Sequence, residues 1–513
     1  MKKKIDKYKL IIILIFVLGC AVRVIGIDIV PSGLNVDEAS AGYDSFAISN
    51  YGVDRNGKTM PVFLEAWGSG QNALYTYLMI PFIKILGLSV FSIRFPMAIV
   101  GCISLFVMYK ILKMQDNKKL TMAVLAFFAI APWHIMKSRW GLESNMFPDL
   151  MLWASYFLIS GIQYKKIHKF YIGTVFLGLC SYAYGTSYYF LPIFIIILLV
   201  VLFREKQISI KQAMISLGII AIISLPIILM LLINTFNLPE IKIFNFTIPR
   251  LASNRYETET LLGSKSILEI GIYNLIKGIK IIFTQSDGLI YNSIPNFGLI
   301  YLSSLPVMII GLVKTIKNKN TINMIFNIWA LVAITLIPIC EPNINRINIL
   351  WIPLIYYTGV GIYELLTYLK KFKWGIIILF IIQFIAFSVT YPNKVKEANR
   401  TWNYNLENVI TYVDKLENKK IYFEYSIKEP YIYVLFYNKI NTNEFVNTVK
   451  YKNNKKDFDS VLEFGKYRFY VPKNFNEKDD SIIVIRKENE DKYDINEESW
   501  KKTYIDDYLV LTK

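Results

Sequence analysis

Residues Tyr8 to Ala39 read YKLIIILIFVLGCAVRVIGIDIVPSGLNVDEA. An apolar run from Tyr8 to Ile27 is long enough to cross a bilayer, and Asn35-Val36-Asp37-Glu38-Ala39 places two adjacent acids where the chain leaves it. Ionised side chains at a bilayer boundary are costly to hold unless they face water or a partner, so such a pair marks a candidate functional site. A solvated loop is the plain alternative, and the rest of the chain decides between the two.

Outward from this point the apolar pattern recurs. A span needs about 20 mainly apolar residues, and about eleven such stretches can be counted. After the first they run from Phe91 to Leu112, Leu120 to Met136, Met146 to Gln163, Phe170 to Tyr184, Tyr188 to Phe203, Ala213 to Ile233, Phe297 to Val313 and Thr321 to Ile339, then to Leu369, and from Trp374 to Tyr391. Lys and Arg cluster at alternate ends, at Lys113, Lys118 and Lys119, at Lys165, Lys166 and Lys169, at Arg204, Lys206 and Lys211, at Lys314, Lys317 and Lys319, and at Lys370, Lys371 and Lys373. The positive-inside rule then gives one solution, with the N-terminus in the cytoplasm and the C-terminus outside. Lys2, Lys3 and Lys4 precede the first span as in a signal peptide, but no small-residue cleavage site follows, so this segment reads as a retained helix.

Composition agrees. Of 513 residues 54% are hydrophobic and only 19% charged, too apolar for a soluble protein of this size. The formal charge of +18 resides in the clusters between spans, where orientation explains it better than nucleic-acid binding. Cys20, Cys102, Cys180 and Cys340 are scattered through apolar spans and form neither a metal spacing nor a disulfide framework. The chain is therefore read as a polytopic α-helical membrane protein.

Two outer loops and a tail complete it. Residues 28–90 form an outer loop with juxtamembrane helices, including an interfacial helix from Asn72 to Gly87. Residues 234–296 form a second long outer loop, helical from Ser266 to Thr284. From Asn393 the composition turns to Lys, Asn, Glu and Asp, with β-like runs at Lys420 to Tyr425, Tyr467 to Val471, Ser481 to Ile485 and Tyr508 to Thr512, and a helical pattern from Pro430 to Tyr437. The division is thus a membrane domain over 1–391 and a small extracytoplasmic α/β domain over 392–513, fit for acceptor contact or partner docking.

With orientation fixed, outer-side cations stand out: Arg94, Lys137, Arg139 and Arg346. Arg suits bidentate contact with phosphate and Lys supplies a point charge, although each alone also fits a lipid headgroup contact. Glu143 stands four residues after Arg139 and pairs with it if the helix continues one more turn. His134 reads as an interfacial packing residue and His168 as part of the cytoplasmic charge belt, too few for a histidine metal site. Asp37, Glu38, Glu65 and Glu143 all lie outside and have the chemistry to take a divalent ion, which leaves metal dependence open. A carboxylate at the outer boundary beside cations suits transfer of a sugar from a lipid-linked phosphate to a hydroxyl. The acid takes the acceptor proton and the cations stabilise the departing phosphate. A flippase for lipid-linked sugars and a membrane polysaccharide polymerase are the alternatives; the first calls for repeated halves with mid-membrane charges.

Asp37-Glu38-Ala39 with Gly42-Tyr43, Gly52-Val53-Asp54-Arg55-Asn56-Gly57, Met60-Pro61, Tyr75-Thr76-Tyr77-Leu78 with Pro81, and Ser92-Ile93-Arg94-Phe95-Pro96 together resemble the bacterial family that includes protein O-mannosyltransferases and the lipid A aminoarabinose transferase. Ala131-Pro132-Trp133-His134 with Ser138-Arg139 and Glu143 is similar to that family's second outer motif, and Asn345-Arg346-Ile347-Asn348 with Pro353 to a segment entering a late span. The resemblance implies a GT-C glycosyltransferase fold, an undecaprenyl-phosphate-linked sugar as donor, and inversion at the anomeric carbon on the outer face of the bacterial cytoplasmic membrane. It implies Asp37 as general base with Glu38 beside it, and Arg94, Lys137, Arg139 and Arg346 on donor phosphate. Glu143, Tyr43 and His134 fall on the sugar or acceptor side. The chain lacks the lumenal insert of the eukaryotic mannosyltransferases, which leaves envelope glycan, glycolipid or protein as acceptor.

Overall fold

The structure is a computed structural model that describes residues 6–67, 69–251, 267–397, 402–416, 419–452, 461–477 and 480–513. Lys2, Lys3, Lys4 and residues 252–266 of the second outer loop lie outside the described residues, and the helix expected in that loop is α11 (Ile267–Thr284).

Each apolar stretch contains a helix: α1 (Lys7–Val24), α4 (Val90–Lys113), α5 (Lys118–Ile130) with α6 (Pro132–Ser138), α7 (Met146–Gln163), α8 (Ile167–Cys180), α9 (Ser187–Arg204), α10 (Ile210–Thr235), α12 (Leu305–Lys317), α13 (Thr321–Thr335), α14 (Trp351–Tyr368) and α15 (Lys373–Glu397). Among the described residues, five helices are long and apolar enough to cross a membrane, or six if the bent pair α5–α6 is one span. The protein is a multi-pass membrane protein. The bend between α5 and α6 is 54° and falls at Ala131, just before Pro132, which has no N–H to continue the ladder. The helix expected from Phe297 begins only at Leu305. Upstream, Asn296, Gly298 and Tyr301 have positive φ, and Gln285 Oε1 accepts from the backbone N–H groups of Leu299 (2.8 Å) and Ile300 (2.7 Å) instead.

The chain divides into two compact units. The first holds Met1–Ile27, Arg94–Leu229 and Arg255–Val395, the helical body. At its centre 83% of the Asn348–Tyr368 window is buried, against 11% for Lys370–Glu397, so the latter's Ile378, Leu379, Ile381, Ile382 and Ile385 side chains are left for lipid. Small residues let α12 and α14 touch: a Cβ on Gly311 would fall 1.8 Å from the Tyr357 carbonyl oxygen and one on Gly361 1.9 Å from that of Val307, the close backbone approach that membrane helices use.

The second unit holds Asp28–Ile93, Met230–Asn254 and Lys396–Lys513. It contains α2 (Val36–Tyr51), the hairpin β1 (Phe63–Ala66) and β2 (Ser69–Asn72), α3 (Leu74–Leu86), and the hairpin β3 (Ile241–Ile243) and β4 (Phe246–Ile248). Beyond residue 396 lie α16 (Leu406–Asp414), β5 (Lys420–Phe423), α17 (Pro430–Asn438), α18 (Thr442–Thr448), β6 (Lys450–Tyr451), β7 (Val461–Phe464), β8 (Tyr467–Arg468), β9 (Ser481–Arg486), β10 (Lys501–Ile505) and β11 (Tyr508–Thr512). These strands form a seven-stranded sheet ordered β10-β11-β9-β5-β8-β7-β6. β5 runs parallel to β8 and β9, while β9, β11 and β10 are antiparallel. β9 is buried along its whole length, and Ile483, Ile485, Leu509, Leu511 and Trp500 share one core. The start of α2 is pinned to this domain. Leu34 donates its N–H to the Trp402 carbonyl (2.6 Å) and accepts from the Tyr433 hydroxyl (3.1 Å). Gly33 sits at φ 81 where a Cβ would lie 2.3 Å from the Trp402 carbonyl oxygen.

Candidate active site

The acidic pair is not in a loop but in the first turn of α2. Asn35 caps that helix, accepting from the Asp37 N–H (2.9 Å), and Glu38 Oε2 accepts from the Asn35 N–H (3.2 Å). This is a capping box, worth about 1 kcal/mol for the cap alone. It gives Glu38, fully buried, a structural task and leaves Asp37 partly exposed beside it. Both acids also sit where the helix dipole favours negative charge.

Asp37 Oδ1 accepts two hydrogen bonds from the β1–β2 hairpin, from Trp67 Nε1 (2.9 Å) and Gln71 Nε2 (3.3 Å). Behind them lies a buried cluster. The Arg55 guanidinium stands 5.3 Å from the centre of the Trp67 ring and donates to Ser40 Oγ (2.5 Å) and the Glu65 carbonyl (3.1 Å). Its counter-charge is Asp44, 3.6 Å away and bonded to the Arg55 backbone N–H at 3.0 Å. Burial pushes the Asp44 carboxyl up, and Arg55 pulls it back. Asp54 accepts from the backbone N–H groups of Asn56 (2.9 Å) and Lys58 (2.8 Å); burial and then the Asp44 charge push its carboxyl up to about 7. Tyr43 is buried and its hydroxyl donates to the Ile440 carbonyl (2.7 Å). Glu65 pairs with Lys58 at 3.3 Å. Among the described residues no three His, Cys, Asp or Glu side chains cluster as a metal site.

In the helical body the structure brings His134 and Lys137 together through two residues that the sequence reading passed over. Arg23 donates to His134 Nδ1 from Nε (3.2 Å) and from a terminal nitrogen (2.7 Å), and also to the carbonyls of Gly19, Ala129 and Phe128. Because a guanidinium only donates, Nδ1 accepts and the imidazole proton is on Nε2, which points at Asp149 Oδ1 (3.2 Å). Lys137 pairs with the other oxygen of Asp149 and donates to the Asn145 carbonyl (3.3 Å). Arg23 and Asp149 are single charges inside apolar stretches, which is itself the signal that they are partnered.

Arg94 and Arg139 converge on the chain just after α1. Arg94 donates to the Ile27 carbonyl (3.0 Å), and Arg139 to those of Val22 (2.9 Å), Ile25 (2.9 Å) and Gly26 (2.8 Å), carbonyls that a helix end leaves orphaned. The extra helical turn that would set Arg139 over Glu143 does not form. α6 stops at Ser138, Arg139 is its cap, and Glu143 opens a short 3-10 turn over Glu143–Asn145. Arg346 is the most exposed of the four cations: its side chain is 23% accessible and 3.9 Å from the Glu341 carboxylate, which Lys277 (2.5 Å) holds below the usual range.

Residues 72–233 match the model of the dolichyl-phosphate-mannose-protein mannosyltransferase family. That third of the chain includes Arg94 and the 131–143 motif, while Asp37 and Glu38 precede it. A search of curated proteins finds no match. Among solved structures the chain is similar to ArnT from Cupriavidus metallidurans bound to undecaprenyl phosphate, at 10% identity and a TM-score of 0.57 over 97% of both chains. It is also similar to the oligosaccharyltransferase of Archaeoglobus fulgidus, at 12% identity and a TM-score of 0.51 over 83% of this chain and 61% of that one. The resemblance read from the outer motifs is borne out: the chain has the GT-C membrane glycosyltransferase fold and carries, over residues 72–233, the signature of the mannosyltransferase family.

Proposed function

We propose that this protein transfers a sugar from an undecaprenyl-phosphate-linked donor to a hydroxyl-bearing acceptor of the cell envelope, with Asp37 as general base. The observation that carries the reading is the Asp37 carboxylate, partly exposed at the start of α2, with one oxygen fixed by two neutral N–H donors. A fold shared with an enzyme whose structure contains undecaprenyl phosphate supports the donor class.

In the step proposed, Asp37 takes the acceptor hydroxyl proton as that oxygen attacks the anomeric carbon from the face opposite the phosphate. The bond between the anomeric carbon and the phosphate oxygen breaks, its electron pair leaves with undecaprenyl phosphate, and configuration inverts. The phosphate needs cationic stabilisation as its charge develops. Arg94, Lys137, Arg139 and Arg346, the outer-side cations of the sequence, are the residues proposed for this role. The reading places the N-terminus in the cytoplasm and the domain after residue 392 outside a bacterial cytoplasmic membrane, with a glycan, glycolipid or protein as acceptor.

The test is release of undecaprenyl phosphate from a panel of undecaprenyl-phosphate hexoses and pentoses by protein in liposomes, with crude envelope acceptor. Release by the wild type that falls about a thousandfold in Asp37→Asn supports the reading. Equal release by both removes Asp37 from the chemistry. No release with any donor, from folded protein, overturns the transferase itself.

A further inference from the structure

Arg55 belongs to the Gly52–Gly57 motif, to which the proposed chemistry gives no task, yet contacts lead from it to both donors that hold Asp37, directly to Trp67 and through Ser40 to Gln71. One arm runs through the ring of Trp67. Trp67 sits at φ 55, a backbone conformation that a bulky residue adopts only where its surroundings impose it. The guanidinium against its face, and the edge of Tyr431 with ring centres 6.3 Å apart, supply that constraint. The other arm runs through Ser40. Ser40 Oγ accepts from Arg55 (2.5 Å), so its own proton is free to go to Gln71 Oε1 (3.4 Å). With Oε1 accepting, the Gln71 amide has one orientation left, its NH2 toward Asp37. The Glu65 carbonyl bonded to Arg55 lies on β1, in the same hairpin as Gln71.

We infer that Trp67 and Gln71 are positioning residues that lock Asp37 Oδ1, that Arg55 orients both donors from behind, and that Oδ2 is therefore the oxygen presented to the acceptor hydroxyl. Among the described residues none donates to Oδ2. Neutral N–H donors are the suitable choice, because they hold an ionised carboxylate without a cation that would compete for the role of the departing proton. Neighbouring charges are already matched. Glu38 bonds to the Asn35 N–H, Asp44 faces Arg55, and the Tyr433 phenol, pushed well above its ordinary range by burial, stays neutral.

This inference rests on Asp37 being the base, and the experiment separates the two. Trp67→Phe keeps an aromatic face for Arg55 and removes only the N–H. Its kcat for undecaprenyl phosphate release is expected to fall about tenfold, the loss of one hydrogen bond to a charged group, with donor KM and melting temperature unchanged. Gln71→Leu is expected to act in the same sense, and the double variant to lose about a hundredfold. Arg55→Lys, which keeps the charge but not the planar fork, is expected to lower kcat through both donors. If Asp37→Asn is inactive while Trp67→Phe and Gln71→Leu turn over at the wild-type rate, the base stands and the positioning role is overturned. A fall in kcat accompanied by raised donor KM and a lowered melting temperature also overturns it, since that is what a merely structural role produces. If Asp37→Asn is fully active, both readings fail together.

Discussion

Two carboxylates, Asp37 in one unit and Asp149 in the other, are each gripped by nitrogen donors in opposite ways. Asp149 is fully buried, and both its oxygens are taken, one by His134 and one by Lys137, with Arg23 fixing the imidazole from behind. Asp37 is partly exposed and held by one oxygen, through neutral donors, with its guanidinium one layer further back. A carboxylate with both oxygens taken, one of them by a cation, is a structural tie; one held at a single oxygen is fixed in direction and still able to take a proton. The same residue type therefore serves two purposes, and the layer in which the positive charge stands decides which.

The largest effects should divide along this line. Asp37→Asn is expected to reduce turnover about a thousandfold while the melting temperature in detergent stays at the wild-type value. Asp149→Ala is expected to do the reverse first: leaving Lys137 buried without its anion costs about 3 kcal/mol or more of stability. That cost is read as a lower melting temperature and poorer recovery of folded protein. An Asp149→Ala protein as stable as wild type would show that the helical-body cluster is not a tie, and the contrast between the two sites would fall.

The helical body was legible because burial in lipid demands long apolar runs, and each run from Tyr8 to Tyr391 contains a helix. What escaped were single residues whose meaning depends on distant partners. Arg23 and Asp149 are one charge each in an apolar run, and nothing in their spacing says that His134 lies between them. Asn35 and Glu38, in contrast, carry a local signal: an Asn followed three residues later by Glu marks a helix start, so α2 was available to be read. Trp67 and Gln71 were not, because a hairpin of four-residue strands leaves little periodicity. In the C-terminal domain β5, β9 and β11 match apolar runs, whereas β10, Lys501–Ile505, at the edge of the sheet, is too polar to announce itself.

The smallest expected effect sharpens the comparison from within the Asp37 unit. Asp54 is buried like Asp149, but among the described residues no cation is bonded to its carboxylate. It accepts from backbone N–H groups, and burial with the nearby Asp44 raises it to about 7. The native state thus holds this proton up to near neutrality, whereas the unfolded chain releases it near 3.8. Between those values the folded protein binds more protons, so the contribution of Asp54 to stability is fully present below pH 3.8 and is lost as pH rises toward 7. Asp54→Asn keeps a carbonyl acceptor for the Asn56 and Lys58 N–H groups and removes the titration. It should match wild type below pH 3.8 and exceed it by a margin that grows as pH rises toward 8, read from melting temperatures across that range. Parallel curves for the two proteins would mean that Asp54 is ionised throughout and that Arg55, not burial, governs the charge behind Asp37.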